Sequence, residues 1–161
     1  MNMPSEDSTS NIYRVDDDTI RMCFALSRTT KSHGSLKAGN QMMNANDRMH
    51  FQVKKDIVSY LRNLSHVTAT NHIGILGEGE HIYSKNNPCH IVVYVNPPSN
   101  RRMDAPNWYP TIKALIDGLT DAGVFEDDND SVITSFTFVP GTKTDDKLYH
   151  IILEVRAGQF R

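Results

Sequence analysis

The chain has 161 residues, 39% of them apolar and 22% charged, with a formal net charge of −2; this is the profile of one globular domain with enough mass to bury a core. No apolar run approaches the ~18 residues needed to cross a bilayer. The acidic amino terminus has neither the positive nor the apolar region of a signal peptide, so a cytoplasmic protein is expected.

The two cysteines, Cys23 and Cys89, both sit in apolar, strand-like runs. They read as buried thiols, not as a disulfide framework or a zinc site. The net charge conceals segregation. Residues 1–18 carry Glu6, Asp7, Asp16, Asp17 and Asp18 against Arg14, whereas Arg28 to Arg62 holds Arg28, Lys31, Lys37, Arg48, Lys54, Lys55 and Arg62 against Asp47 and Asp56. A local basic field attracts phosphate even in a mildly acidic protein; a solvated surface is the other reading of the same charges.

In chain order, residues 1–18 have almost no apolar content to repay the entropy of ordering and are expected to form a flexible acidic tail, followed by a single domain over residues 19–161. From Thr19 to Ser27, Ile20, Met22, Phe24 and Leu26 alternate with Arg21, Cys23 and Ala25, the period of a half-buried strand. Arg28 to Met43 is a long loop with Gly34, Gly39, Lys31 and Lys37. Loops of that length are commonly functional, and Lys31 and Lys37 are candidate DNA-backbone contacts. Asn46 to Leu64 reads as a helix, with Val53, Ile57, Leu61 and Leu64 on one face and Asn46 or Asp47 as its cap. His66 to Asn87 gives no more than a ragged strand or hairpin broken by Gly74, Gly77 and Gly79. Those glycines lack the flanking strand, helix and lysine of a P-loop, and His66, His72, His81 and His90 lack metal-ligand spacing.

Cys89 to Asn96 is a continuous apolar run between prolines, hence a central strand buried on both faces. It delivers Arg101, Arg102 and Asp104 to a helix from about Pro110 to Ala122, in which Ile112, Leu115, Ile116 and Leu119 share one face. Pro110 suits a first turn, and Gly123 suits the left-handed residue after the last. That helix covers roughly 20 Å at ~1.5 Å per residue, and Gly123 to Asp128 reaches about as far at ~3.3 Å per residue. The chain is therefore able to double back and bring Asp127 and Asp128 towards Asp104. Clustered carboxylates repel one another unless a cation such as Mg²⁺ neutralises them; a solvated acidic turn is the alternative. Trp108 and Tyr109 read either as base-stacking rings or as a packing plug. Val132 to Val139 and Leu148 to Arg156 are strand-like and are expected to pair as an antiparallel hairpin. The fold class is α+β: a mixed sheet of four to five strands with two main helices.

The series Asp104, Asn107, Lys113, Asp117, Leu119, Gly123, Asp127 and Asp128, with the upstream run NANDRMHF at Asn44 to Phe51, resembles the RusA family of Holliday-junction resolvases. The matching motifs and element order cover roughly residues 19–156. The resemblance implies a homodimeric endonuclease that uses Mg²⁺ or Mn²⁺ on branched DNA. It implies metal ligands at Asp104, Asp127 and Asp128, and catalytic roles for Asp104, Asp128 and Lys113. It also places the polar members Asn46, Arg48 and His50 towards the site, where Arg101 and Arg102 supply further charge for DNA. Two departures stand out: Pro106 occupies the place of the family's second aspartate, leaving Asn107 as a neutral substitute ligand, and about three extra residues separate Asn107 from the lysine register. A non-cleaving DNA-binding protein on the same scaffold, or an interaction module, are the alternatives.

Overall fold

The computed structural model describes residues 10–28, 40–72 and 81–158. Their elements are β1 (Asn11–Arg14), β2 (Thr19–Leu26), α1 (Phe51–Asn71), β3 (Cys89–Asn96), a 3₁₀ turn (Ala105–Trp108), α2 (Tyr109–Asp121), β4 (Ile133–Pro140) and β5 (Tyr149–Ala157). They form an α+β fold in which one five-stranded mixed sheet, ordered β1-β2-β5-β3-β4, packs against two helices.

The alternation read in the sequence is present in β2, where Ile20, Met22, Phe24 and Leu26 are completely buried. They join Ile91, Val93 and Val95 of β3 and Ile151, Leu153 and Val155 of β5 beneath Ile57 and Leu61 of α1 and Ile112, Leu115 and Leu119 of α2. The two helices pack closely at Gly118, where an added Cβ would lie 2.0 Å from Ser65 Oγ and 2.2 Å from the Arg62 carbonyl oxygen. No described helix is long and apolar enough to cross a membrane.

Four expectations need correction. The flexible tail assigned to residues 1–18 fails for 11–18, which form β1 and a tight turn into β2. A single apolar residue, Ile12, is enough to anchor the strand in the core, and the aspartates that suggested disorder build the turn: Asp16 Oδ1 accepts from the Asp18 N–H at 2.8 Å, and Arg14 donates to the Asp17 carbonyl at 3.2 Å. Residues 1–9 lie outside the described residues.

The first helix begins five residues later than expected. Asn44 and Asp47 close a turn of their own, with the Asn44 N–H donating to Asp47 Oδ2 at 2.8 Å, and His50 caps the helix by accepting the Gln52 N–H at its Nδ1, 3.2 Å away. The helix also runs on to Asn71, through part of the segment expected to be a ragged strand or hairpin, because the buried face continues in Ser65, Thr68 and Ala69, residues without an apolar signature. Among the described residues between it and β3, isolated bridges occur, Tyr83 with Phe125 and Ser84 with Asn87; residues 73–80, with the three spaced glycines, lie outside the described residues.

The expected β4–β5 hairpin does not form. β4 pairs in parallel with β3 at the sheet edge, and β5 is inserted antiparallel between β2 and β3. β2, β3 and β4 therefore run the same way, and the segments leaving β2 and β3 emerge at one end of the sheet. In open sheets with parallel strands, ligand sites form at that end.

Candidate active site

At the carboxyl end of β3 the chain passes through the exposed Arg101 and Arg102 to Asp104, which stands in extended conformation (φ −101°, ψ 99°) before the 3₁₀ turn. The Asp104 side chain caps nothing. Its carbonyl accepts the Asn107 N–H at 3.0 Å, and the Asn107 carbonyl in turn accepts the Ala45 N–H at 2.7 Å. The two segments singled out by the family pattern are thus stitched together. Thr111, in the first turn of α2, adds two more stitches through its hydroxyl, which accepts the Met43 N–H at 2.8 Å and donates to the Met43 carbonyl at 2.7 Å.

Lys113 lies two residues further along α2. Its ammonium donates to Asp117 Oδ1 at 2.7 Å and to Asp128 Oδ2. The acidic turn after α2 therefore does double back on the helix, bringing Asp128 to Lys113 across fifteen positions. Gly123 permits the reversal with φ at +86°, and the parallel bridge of Phe125 to Tyr83 fixes its depth. Burial alone would lower the Lys113 pKa, but hydrogen bonds to Asp117 and Asp128 outweigh it, so the amine stays charged. The hydrogen bond from Lys113 holds the Asp128 carboxyl below its usual range against a smaller opposing effect of burial. Asp127 is exposed and serves the turn, with Oδ1 accepting the Asp128 N–H at 2.7 Å and Oδ2 accepting the Asn129 amide at 3.1 Å.

Of the residues the sequence proposed, Lys113 and Asp128 are in contact, and Asp104 and Asn107 sit at the start of the helix that carries Lys113. Among the described residues, no three His, Cys, Asp or Glu side chains are gathered into a group that could hold a metal ion. Asp104, Asn107 and Asp128 carry oxygen donors, the type Mg²⁺ prefers; Asp128 is held by Lys113 and by the Asp127 turn. Asn46 is exposed and its N–H donates to Asn44 Oδ1 at 2.9 Å, so it neither caps α1 nor anchors the turn. Arg48 and His50 are exposed just before α1. Lys31 and Lys37 lie outside the described residues.

Two organising residues, Arg28 and Asp47, had no site role in the sequence reading, and Trp108 takes the second of its two readings. Arg28 donates to both oxygens of Asp47, at 2.6 and 2.5 Å, and its guanidinium lies 4.9 Å from the centroid of the Trp108 ring. Trp108 is only 5% exposed, with the Tyr149 ring tilted against it at 5.1 Å, so it is a packing plug and not a free stacking surface. Asp47 was read as a possible helix cap; instead it closes a turn with Asn44 three positions earlier, a spacing typical of side-chain-closed turns. Arg28 left no local signal at all.

Neither a comparison with protein-family models nor one with curated proteins finds a match to this chain.

Proposed function

We propose that this chain is a RusA-like, Mg²⁺-dependent endodeoxyribonuclease that cuts four-way DNA junctions as a homodimer. The observation that carries the reading is the return of Asp128 to Lys113 on the helix that begins at Asp104 and Asn107. In this role Asp104 and Asp128 hold the ion, with Asn107 or Asp127 completing its oxygen shell, and Mn²⁺ is an acceptable substitute. A bound ion supplies Lewis-acid polarisation of the phosphoryl group and a more acidic water. Lys113, kept cationic by its two carboxylates, offsets charge that develops on the phosphate. Arg101 and Arg102 at the mouth, with Arg48 and His50 before α1, attract the DNA backbone. A four-way junction has twofold symmetry, which a C2 dimer with two equivalent sites matches.

The test is cleavage of a labelled four-way junction in Mg²⁺ and in Mn²⁺. Wild type should give paired nicks, and Asp104→Asn, Asp128→Asn and Lys113→Met should each lower the rate at least ~100-fold, the scale expected when a group acting directly on developing charge is removed. Binding in Ca²⁺ should persist. Two observations favour a second reading, a non-cleaving junction-binding protein. Pro106 stands where the family has a carboxylate, and Lys113 already neutralises Asp128. Tight junction binding with no nicks in either metal would select that reading.

A further inference from the structure

Phe51, the first residue of α1, is 75% exposed, the most exposed large apolar side chain among the described residues. It contributes nothing to the core, and its exposure costs hydration free energy that a structural role would not require. Its surroundings are cationic. Lys54 and Lys55 follow at i+3 and i+4 and so share its side of the helix, and Arg48 and His50 precede it; all four are exposed. The neighbouring acid, Asp56, accepts the Gln52 amide at 2.9 Å. Arg48, Lys54 and Lys55 make no ion pair among the described residues. Phe51 is only six positions, at most roughly 20 Å of extended chain, from Ala45, which is bonded to Asn107. The ring therefore belongs to the same end of the molecule as Asp104 and the α2 amino terminus.

A flat apolar ring fringed by cations that form no ion pair among the described residues is complementary to a base beside its phosphates. We infer that Phe51 stacks on a nucleobase exposed where a DNA duplex is interrupted, while Arg48, Lys54 and Lys55 hold the flanking phosphates. Inside an intact duplex both faces of every base are covered by neighbours, so the ring finds a partner only at a branch, gap or end. Stacking of this kind thus gives selectivity for structure without reading sequence. This inference rests on the proposed DNA-binding role but not on cleavage.

The experiment uses the full chain in Ca²⁺ with two DNAs of equal length, a four-way junction carrying 2-aminopurine at the crossover and a fully paired duplex. Wild type, Phe51→Ala, Phe51→Trp and the Lys54→Ala/Lys55→Ala double variant are compared by anisotropy and aminopurine fluorescence. Phe51→Ala should weaken junction binding roughly tenfold, leave duplex binding within about twofold, and abolish the stacking-induced change in aminopurine emission. Phe51→Trp should retain both. The lysine variant should weaken both DNAs alike and flatten the salt dependence by roughly one in slope for each phosphate it no longer neutralises. Equal effects of Phe51→Ala on the two DNAs, or no effect, would overturn the stacking role while leaving DNA binding intact. A wild type that binds neither DNA would overturn the DNA reading along with it and leave the patch to an acidic protein partner. Binding and quenching without nicks in Mg²⁺ would overturn only the nuclease activity. Because Phe51 packs against nothing in the core, the alanine variant is expected to melt with the wild type, a control on these comparisons.

Discussion

The Arg28–Asp47 pair shows how one interaction holds the site's two halves in register. The side chains are only 12% and 16% exposed, the geometry is bidentate, and the guanidinium is packed on Trp108 at the threshold of α2. Burial pushes the Asp47 pKa up, but hydrogen bonds from Arg28 and from the Asn44 backbone outweigh that and leave it below the usual carboxylate range. Arg28→Ala should therefore cost about 2 kcal/mol, the scale for removing one partner of a well-shielded charged hydrogen bond, and Asp47→Asn somewhat less. A double-mutant cycle read from urea midpoints should return a favourable coupling; additive losses would mean that each side chain acts alone. The pH dependence has a definite sign. A carboxyl whose folded pKa is depressed contributes stability above its unfolded value of ~3.9, and that contribution is lost as pH falls through the lower folded value. Glu154 and Asp146 are depressed as well, so the part due to Asp47 is the difference between wild type and Asp47→Asn, which should shrink as the pH falls below the unfolded value of ~3.9. An ion pair between residues nineteen positions apart leaves no periodic trace in a sequence, so neither partner advertises the other. The return of the acidic turn on to α2 was legible because a reversing glycine and an acidic pair mark it, but the spacing aimed it at Asp104 and the contact formed is with Lys113.

Between elements, legibility followed the apolar pattern and failed where the buried face was polar or small. α2 matched to within a residue at either end because Ile112, Leu115, Ile116 and Leu119 keep the helical period and Pro110 and Gly123 mark its ends. α1 continued past its expected stop because Ser65, Thr68 and Ala69 are buried against its neighbours. Small residues there let the helices approach, and Gly118 sits against Ser65 and the Arg62 carbonyl. Gly118→Ala tests this directly. On an isolated helix the change would gain about 1 kcal/mol of propensity, yet the new methyl would fall within 2.2 Å of the Arg62 carbonyl oxygen, a backbone atom that cannot rotate away. The helices would have to separate, at a typical overpacking cost of ~1–3 kcal/mol. A lowered melting temperature is the expected outcome; an unchanged or raised one would mean that the packing between the two helices is loose. The exposed ion pair of Arg62 with Asp121, 2.8 Å apart beside this point, is too open to solvent to offset the loss.

At the scale of the whole molecule the decisive feature is one that strand patterns alone do not encode. β4 and β5 are adjacent in sequence and each alternates plausibly, but pairing order depends on which edges remain to be filled. β5 has the more deeply buried inner face, with Ile151, Leu153 and Val155 fully enclosed, whereas β4 is half-exposed along most of its length; the better-covered strand takes the centre. The last strand in the chain therefore joins β2 to β3, and the sheet is not complete until the carboxyl-terminal segment is in place. Such non-local pairing makes the five strands one cooperative unit, and the two thiols report on it. Cys89 is fully buried in β3, beside Ile133 of β4 and Ala157 of β5, and burial pushes its pKa up to about 12. At pH 8 only about one thiol in ten thousand would be thiolate, even if a reagent could reach it. Cys23 lies on the sheet face opposite the helices and is half-buried; burial raises its pKa, with Arg21 pulling the other way. Native-state alkylation followed by mass spectrometry should modify Cys23 first, with a shallow dependence on urea. Cys89 should react only through global opening, its free energy of exposure falling with urea at the slope of the whole unfolding transition. If Cys89 instead reacts as readily as Cys23, with an equally shallow slope, β4 peels from β3 on its own and the sheet is not a single cooperative unit.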